Sequence, residues 1–289
     1  MTKLLIKGLG FIGDHLHQSS IAKKLKEENP GCEVDFLATI KQPFELLCLN
    51  PYIDNVYLEM PNKKYDKVFE LAPITREQFT PCEEFQMQCG IKNPSPDYKI
   101  YSNPNLDEYV RYMLSPYKDK TVIAWLSNWE ERSFLFTEEE YIRGIDVPNL
   151  GYGGKRRDIS FILSELEKRE DILLIEVGKP SGNDQRNFDL GTVTEYSLTA
   201  SIIKNCDYFI GGEGGLANLA AGIGTKTIIT GDFILQLYGW NGTVQRRKQP
   251  RTEPRYYFEG NNHITLDPYY TDAQVVEQIL NTIDKNKNL

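Results

Sequence analysis

A cationic surplus is the first thing these 289 residues lack: 33 Lys and Arg stand against 41 Asp and Glu, a net charge of −8. Phosphate-backbone binding draws most of its affinity from Lys and Arg, so an extended nucleic-acid surface is not expected. Histidine is scarce, and His15 and His17 sit two apart with no third nearby, which argues against a structural zinc site. The five cysteines, Cys32, Cys48, Cys82, Cys89 and Cys206, are an odd number without C-x-x-C spacing. Most lie in apolar stretches, which points to buried thiols in a reducing compartment. No uninterrupted apolar run approaches the ~20 residues of a membrane span. The N-terminal apolar run is broken by Lys7 and Asp14 and has no small-residue cleavage site, so no signal peptide is expected and the location reads as cytoplasmic. What is present, 40% hydrophobic and 26% charged residues, suits a soluble globular protein long enough for two domains.

Strand and helix patterns alternate from the start. "KLLIK" (3–7) reads as a buried strand, 14–29 as one amphipathic helix stopped by Asn29-Pro30-Gly31, and 32–38 as a second strand. A short helix at 43–50, strands at 55–59 and 66–71, and helices at 83–90 and 106–114 follow. A polar junction, "SPYKDK" (115–120), comes next, and the pattern then restarts. Strands are expected at 121–126, 171–178, 207–212, 226–231 and 263–266, with helices at 137–144, 158–169, 195–206, 215–224 and 271–284. The 137–144 and 271–284 helices open with capping-box spacing. Such alternation predicts parallel sheets covered by helices. The economical architecture is two Rossmann-like units facing across a cleft, 1–117 and 118–289, with the terminal helix placed so that it can return to the first unit.

Two glycine-rich turns compete for attention. Gly8, Gly10 and Gly13 in "GLGFIGDHL" fit the dinucleotide fingerprint in its strand-turn-helix setting. The acid that should end the second strand is absent, however: Ala38 and Thr39 stand there, and Asp35 lies inside the strand. No tyrosine has Lys four residues on, as a short-chain epimerase would require, and Asp14 would repel a pyrophosphate at the start of the helix. The second turn, "DYFIGGEGGLANLAAGIGTKTIITGD" (207–232), runs a strand through Gly214 and Gly215 into a helix of small residues. Open N–H groups and the helix dipole there suit an anion, and Glu213 suits a sugar or ribose hydroxyl. Lys155, Arg156 and Arg157, in the loop before the 158–169 helix, are candidates for holding a diphosphate, and Lys179 lies at the carboxyl end of the sheet.

These segments carry a resemblance. The stretch "GDHLHQSSIAKKLKEENPGCEVDFLATIKQPFELLCLNPYIDNVY", with its Asn50-Pro51-Tyr52-Ile53-Asp54 turn, resembles the N-terminal domain of the heptosyltransferase-like glycosyltransferase family nine. "YSLTASIIKNCDYFIGGEGGLANLAAGIGTKTIITGD" resembles that family's donor-site segment. The resemblance implies an α/β GT-B fold and inverting, metal-independent transfer from a nucleotide-sugar, with the acceptor on the first domain and the donor on the second. It places Asp14 on the family's proposed catalytic base, with Gly13 and His15 beside it as acceptor-side or phosphate-binding residues. Glu213 falls on the donor-site acid, Gly214 and Gly215 on the adjoining small positions, and Asn218 where many members carry His. No cofactor is implied beyond the nucleotide-sugar as co-substrate.

Departures are also visible. The chain is short, "SNWEERS" (127–133) replaces the family's H-P-G, and the Lys-x-Trp motif is missing. Arg246, Arg247 and Lys248 sit near Tyr256, Tyr257 and Phe258, a composition that suits phosphate with ring stacking and keeps a nucleic-acid acceptor open beside a glycan. The reading is a glycosyltransferase. An NAD-dependent sugar-nucleotide epimerase or reductase, and a non-catalytic sugar-nucleotide binding protein, are the alternatives.

Overall fold

The computed structural model describes residues 1–74, 79–126, 134–135, 155–156, 158–178, 196–212, 214–230, 263–266 and 270–287. The first unit comprises β1 (Lys3–Lys7), α1 (Ile12–Gln18), α2 (Ser20–Glu28), β2 (Glu33–Leu37), α3 (Phe44–Cys48), β3 (Asn55–Tyr57), β4 (Lys67–Glu70) and α4 (Pro81–Gln88). After α5 (Pro104–Leu114) come β5 (Thr121–Leu126), the short β6 (Phe134–Leu135) and β7 (Lys155–Arg156), and α6 (Ile159–Glu167). The second unit continues with β8 (Ile172–Val177), α7 (Tyr196–Lys204), β9 (Tyr208–Gly211), α8 (Gly215–Ile223), β10 (Lys226–Thr230), β11 (His263–Leu266) and α9 (Asp272–Lys287). Among the described residues one sheet runs β3-β2-β1-β4 and the other β11-β10-β9-β5-β8, every pairing parallel. This is the expected α/β architecture of two successive units, each built on a parallel sheet. The helix expected over 137–144 lies outside the described residues.

Local chemistry accounts for where the elements begin and break. The helix expected over 14–29 divides at Ser19. Ser19 Oγ donates to Leu16 O at 2.7 Å and Ser20 Oγ to His17 O at 2.7 Å, and such hydroxyl back-bonding bends helices. The break has a packing counterpart: Leu16 joins the second unit's core while Ile21 and Leu25 join the first. α4 begins at Pro81, earlier than expected, because Thr80 and Glu83 form a reciprocal capping box and Pro81 occupies the first helical position. Asn103, whose side chain accepts from Asn105 N–H at 3.0 Å, and Pro104 at the first helical position start α5 early. The Asn50–Asp54 turn ties the first unit together. Asp54 accepts from Val34 N–H at 2.7 Å and from Lys26 Nζ at 2.9 Å. Burial opposes its ionisation, but these donors hold its carboxyl below the usual range.

The chain passes to the second unit ahead of the junction expected near 117. Val110 and Leu114 of α5 belong to the second core, α5 packs on α7, and Lys204 Nζ meets Asp107 at 2.7 Å. Upstream, Ile100 N–H donates to Gly222 O at 2.8 Å and Tyr98 Oη to Asn218 O at 2.7 Å. Among the described residues the terminal helix packs on the second unit. α9 packs on α6, burying Val275, Val276, Ile279 and Ile283 in the second core, with Arg169 bridging Asp171 and Asp284. Ile159, Ile162 and Leu166 of α6 are buried in the same core.

The crossing segment rests directly on α8. A Cβ built on Gly222 would lie 2.6 Å from both Ile100 Cγ1 and Tyr98 Cε2. Overpacking of this kind costs about 1–3 kcal/mol. Gly222→Ala is therefore expected to lower unfolding free energy by that amount, read from the urea midpoint at unchanged m-value.

Candidate active site

Open parallel sheets bind ligands beyond the carboxyl ends of their strands, and here both such ends lead into helices that meet. On the first side, β1 passes through residues 8–11 into α1. Gly10 has φ +86°, a left-handed conformation, and a Cβ there would fall 2.3 Å from Asp14 Oδ2. Phe11 N–H donates to that same oxygen at 2.9 Å, so the loop aims the Asp14 carboxylate. A Cβ on Gly8 would lie 2.7 Å from His15 Nε2, so the bare glycine makes room for the imidazole.

His15 holds the loop down from beneath. It is fully buried, with Nδ1 2.9 Å from Phe11 O and Nε2 3.2 Å from the Thr39 amide nitrogen, beyond the end of β2. Phe11 O can only accept and Thr39 N–H donates, so the ring is neutral with its proton on Nδ1. Burial pushes its pKa below the usual 6.5, against the opposing pull of the Phe11 carbonyl and Asp14. His15 therefore positions the loop, and the structure turns it away from the phosphate-binding role that its place in the sequence suggested.

On the second side, β9 leads to α8. Gly214 is its N-cap and contributes no side-chain cap. The first intrahelical bond runs from Asn218 N–H to Gly214 O at 3.0 Å, which leaves the N–H groups of Gly215, Leu216 and Ala217 without intrahelical acceptors. The N-terminal turns of α1 and α8 pack against each other. A Cβ on Gly13 would lie 2.6 Å from Asn218 Nδ2, and one on Gly215 would lie 3.4 Å from Ile12 Cβ. Asn218 is 4% exposed, and its Oδ1 has no hydrogen-bond partner among the described residues. A buried amide oxygen left unpaired is costly, and such atoms mark places where a ligand donor belongs.

Asp14, Gly13, Gly214, Gly215 and Asn218 are thus brought together. Glu213, Arg157, Lys179, Arg246, Arg247 and Lys248 lie outside the described residues. Lys155 and Arg156, expected in a loop, form β7, which pairs antiparallel with β6. Asp158 then caps α6 by accepting from Phe161 N–H at 2.9 Å. No cluster of three or more metal-ligating side chains occurs among the described residues.

The three glycines of the dinucleotide fingerprint are spoken for: Gly8 by His15, Gly10 by Asp14, Gly13 by Asn218. Asp35 cannot reach a ribose, being wholly buried and bonded to Lys63 at 2.7 Å, Tyr65 at 2.8 Å and Asn55 at 2.9 Å. Sequence reasoning missed the positioning role of His15. The signal available was a glycine seven residues before it in the strand-turn-helix, which creates a niche of imidazole size. It also missed that Gly13 serves an interhelical contact, which no local pattern reveals.

Because the folded-state pKa of His15 is depressed, the unfolded chain binds the extra proton first. Its contribution to stability is present above pH 6.5 and is lost as pH falls below that value toward the folded pKa. The melting temperature should decline from pH 7.5 to 5.5. His15→Asn, which can keep the bond to Phe11 O, should melt lower at pH 7.5 yet show a flatter profile over that window.

No protein-family model matches the chain, and no curated protein matches it in sequence. Solved structures do. The ADP-heptose lipopolysaccharide heptosyltransferase II of E. coli superposes with a TM-score of 0.65 at 12% identity, covering 99% of this chain and 100% of that one. A glycosyltransferase of family nine from Veillonella parvula gives 0.58 at 10% identity, over 96% and 95% of the two chains. The E. coli heptosyltransferase WaaC with ADP-2-deoxy-2-fluoro heptose gives 0.56 at 13% identity, over 99% and 100%. Over nearly its whole length, then, this chain has the two-unit GT-B fold of the heptosyltransferase structures.

Proposed function

We propose that the protein is a glycosyltransferase that moves a sugar from a nucleotide-sugar to an acceptor hydroxyl. The observation that carries this reading is the packing of the α1 and α8 N-terminal turns, which sets the Asp14 turn of one unit against the open N–H groups and unpaired Asn218 Oδ1 of the other. The whole-chain likeness to heptosyltransferase structures supports it.

In this reading Asp14 takes the acceptor hydroxyl's proton while the oxygen attacks the anomeric carbon. The bond from that carbon to the diphosphate oxygen breaks on the opposite face, which inverts the centre. The departing diphosphate is stabilised by the α8 N-terminus and by cationic side chains, so no metal is required. Gly214 and Gly215 let phosphate oxygens approach the backbone, and Asn218 Oδ1 accepts from a donor hydroxyl. The acceptor is a glycan, in keeping with the net charge of −8. An ADP-sugar is the first donor to test, since the WaaC structure holds one.

Three outcomes check the proposal. Asp14→Asn keeps an acceptor for Phe11 N–H but cannot take a proton; kcat should fall by about 10²–10⁴-fold with donor affinity retained. Undiminished turnover would remove Asp14 from the role. Asn218→Ala removes the whole buried amide, so the melting temperature should fall, and the donor Kd should rise about tenfold in a calorimetric titration run at a temperature where circular dichroism shows the variant folded. Transfer should persist at full rate after EDTA treatment; a rate restored only by added metal would contradict the metal-free step.

A further inference from the structure

Phe11 breaks two local rules at one position. It is the N-cap of α1, where Ser, Thr, Asp or Asn is favoured because the side chain can accept from the open N–H groups. It is also 83% exposed, whereas the next most exposed phenylalanine among the described residues, Phe161, is 37% exposed. A single exposed apolar side chain needs no explanation by itself. This one, however, stands on backbone held from both sides. Its N–H is bonded to Asp14 Oδ2 at 2.9 Å, and its carbonyl accepts from His15 N–H at 3.1 Å and from His15 Nδ1 at 2.9 Å. The next residue, Ile12, lies beside α8 of the opposite unit, where a Cβ built on Gly215 would be 3.4 Å from Ile12 Cβ. The ring therefore stands on backbone hydrogen-bonded at both its N–H and its carbonyl, tied through its own amide to the Asp14 carboxylate.

We infer that Phe11 is the acceptor platform: the apolar C–H face of a neutral sugar ring lies on the phenyl, which presents one of its hydroxyls to Asp14. This rests on the glycosyltransferase reading and specifies the acceptor side of the same site. A flat hydrocarbon surface suits a pyranose face, whose axial C–H groups are its apolar part, and it selects for ring orientation rather than charge. Preorganisation of the backbone removes much of the ordering cost of binding. The donor diphosphate belongs to α8, so the ring on the α1 side is left to the acceptor. Violations of local preference that stability does not explain gather at functional sites.

The test compares wild type with Phe11→Ser and Phe11→Tyr. Phe11→Ser creates a serine cap three residues before Asp14, so its melting temperature should rise by about 2 °C. Binding is read with the methyl glycosides of glucose, galactose, mannose and N-acetylglucosamine as probes, in the presence of ADP. Saturation-transfer NMR with irradiation of the aromatic protons should carry saturation into the C–H protons of at least one glycoside on wild type. Phe11→Ser should weaken that binding about three- to tenfold, and Phe11→Tyr should restore it. ADP and ADP-sugar affinity should be the same in all three proteins. The platform is wrong if no glycoside receives saturation, if Phe11→Ser binds as wild type, if its melting temperature falls, or if ADP affinity drops with the ring. The last result would assign the phenyl to the donor base. If no nucleotide-sugar binds any of the three proteins, the glycosyltransferase reading itself fails, whatever the glycosides do.

Discussion

The contact between the first turns of α1 and α8 is the constraint on which the rest of the structure depends. It brings the positive ends of two helix dipoles together, an arrangement that electrostatics alone disfavours. Gly13 and Gly215 make it sterically feasible, since any side chain at Gly13 would collide with Asn218. Asp14 supplies compensating negative charge in the first turn of α1, while no described acidic residue does so in the first turn of α8. An anionic group lying at the α8 terminus would complete the balance.

Everything around that contact serves to hold it still. His15 pins the β1–α1 loop from below, Gly8 and Gly10 give the loop its shape, and the Ser19 break lets α1 lean toward the second unit while α2 stays on the first sheet. From the other direction, Tyr98 and Ile100 bond to backbone carbonyls of α8, at Asn218 in the middle of that helix and at Gly222 near its end. Ser197 Oγ also hydrogen-bonds the Glu45 carboxylate between α7 and α3. Such interlocking gives residues drawn from two units a fixed mutual geometry.

Parallel α/β order, most element positions, and the two glycine-rich turns that lead into α1 and α8 were legible in the sequence. Burial on both faces of a parallel strand leaves continuous apolar runs such as Leu4–Ile6 and Ile172–Ile175, and these are visible without a structure. Helix starts were less so: Thr80-Pro81 and Asn103-Pro104 set them two residues before the amphipathic pattern becomes readable. The side to which α5 and α9 would dock was not legible at all. An apolar stripe states that a helix face is buried, not against what.

The sequence by itself determined the repeating strand–helix grammar, because hydrophobic periodicity and capping chemistry act over a few residues. It also determined which residue types could do proton and phosphate chemistry. Only the tertiary structure decided that the glycines of the first turn serve His15, Asp14 and Asn218, that His15 faces inward, and that Phe11 stands rigid and exposed. Those outcomes depend on contacts between segments far apart in the chain, whose close approach is set by the summed packing of two sheets and their helices rather than by any local preference.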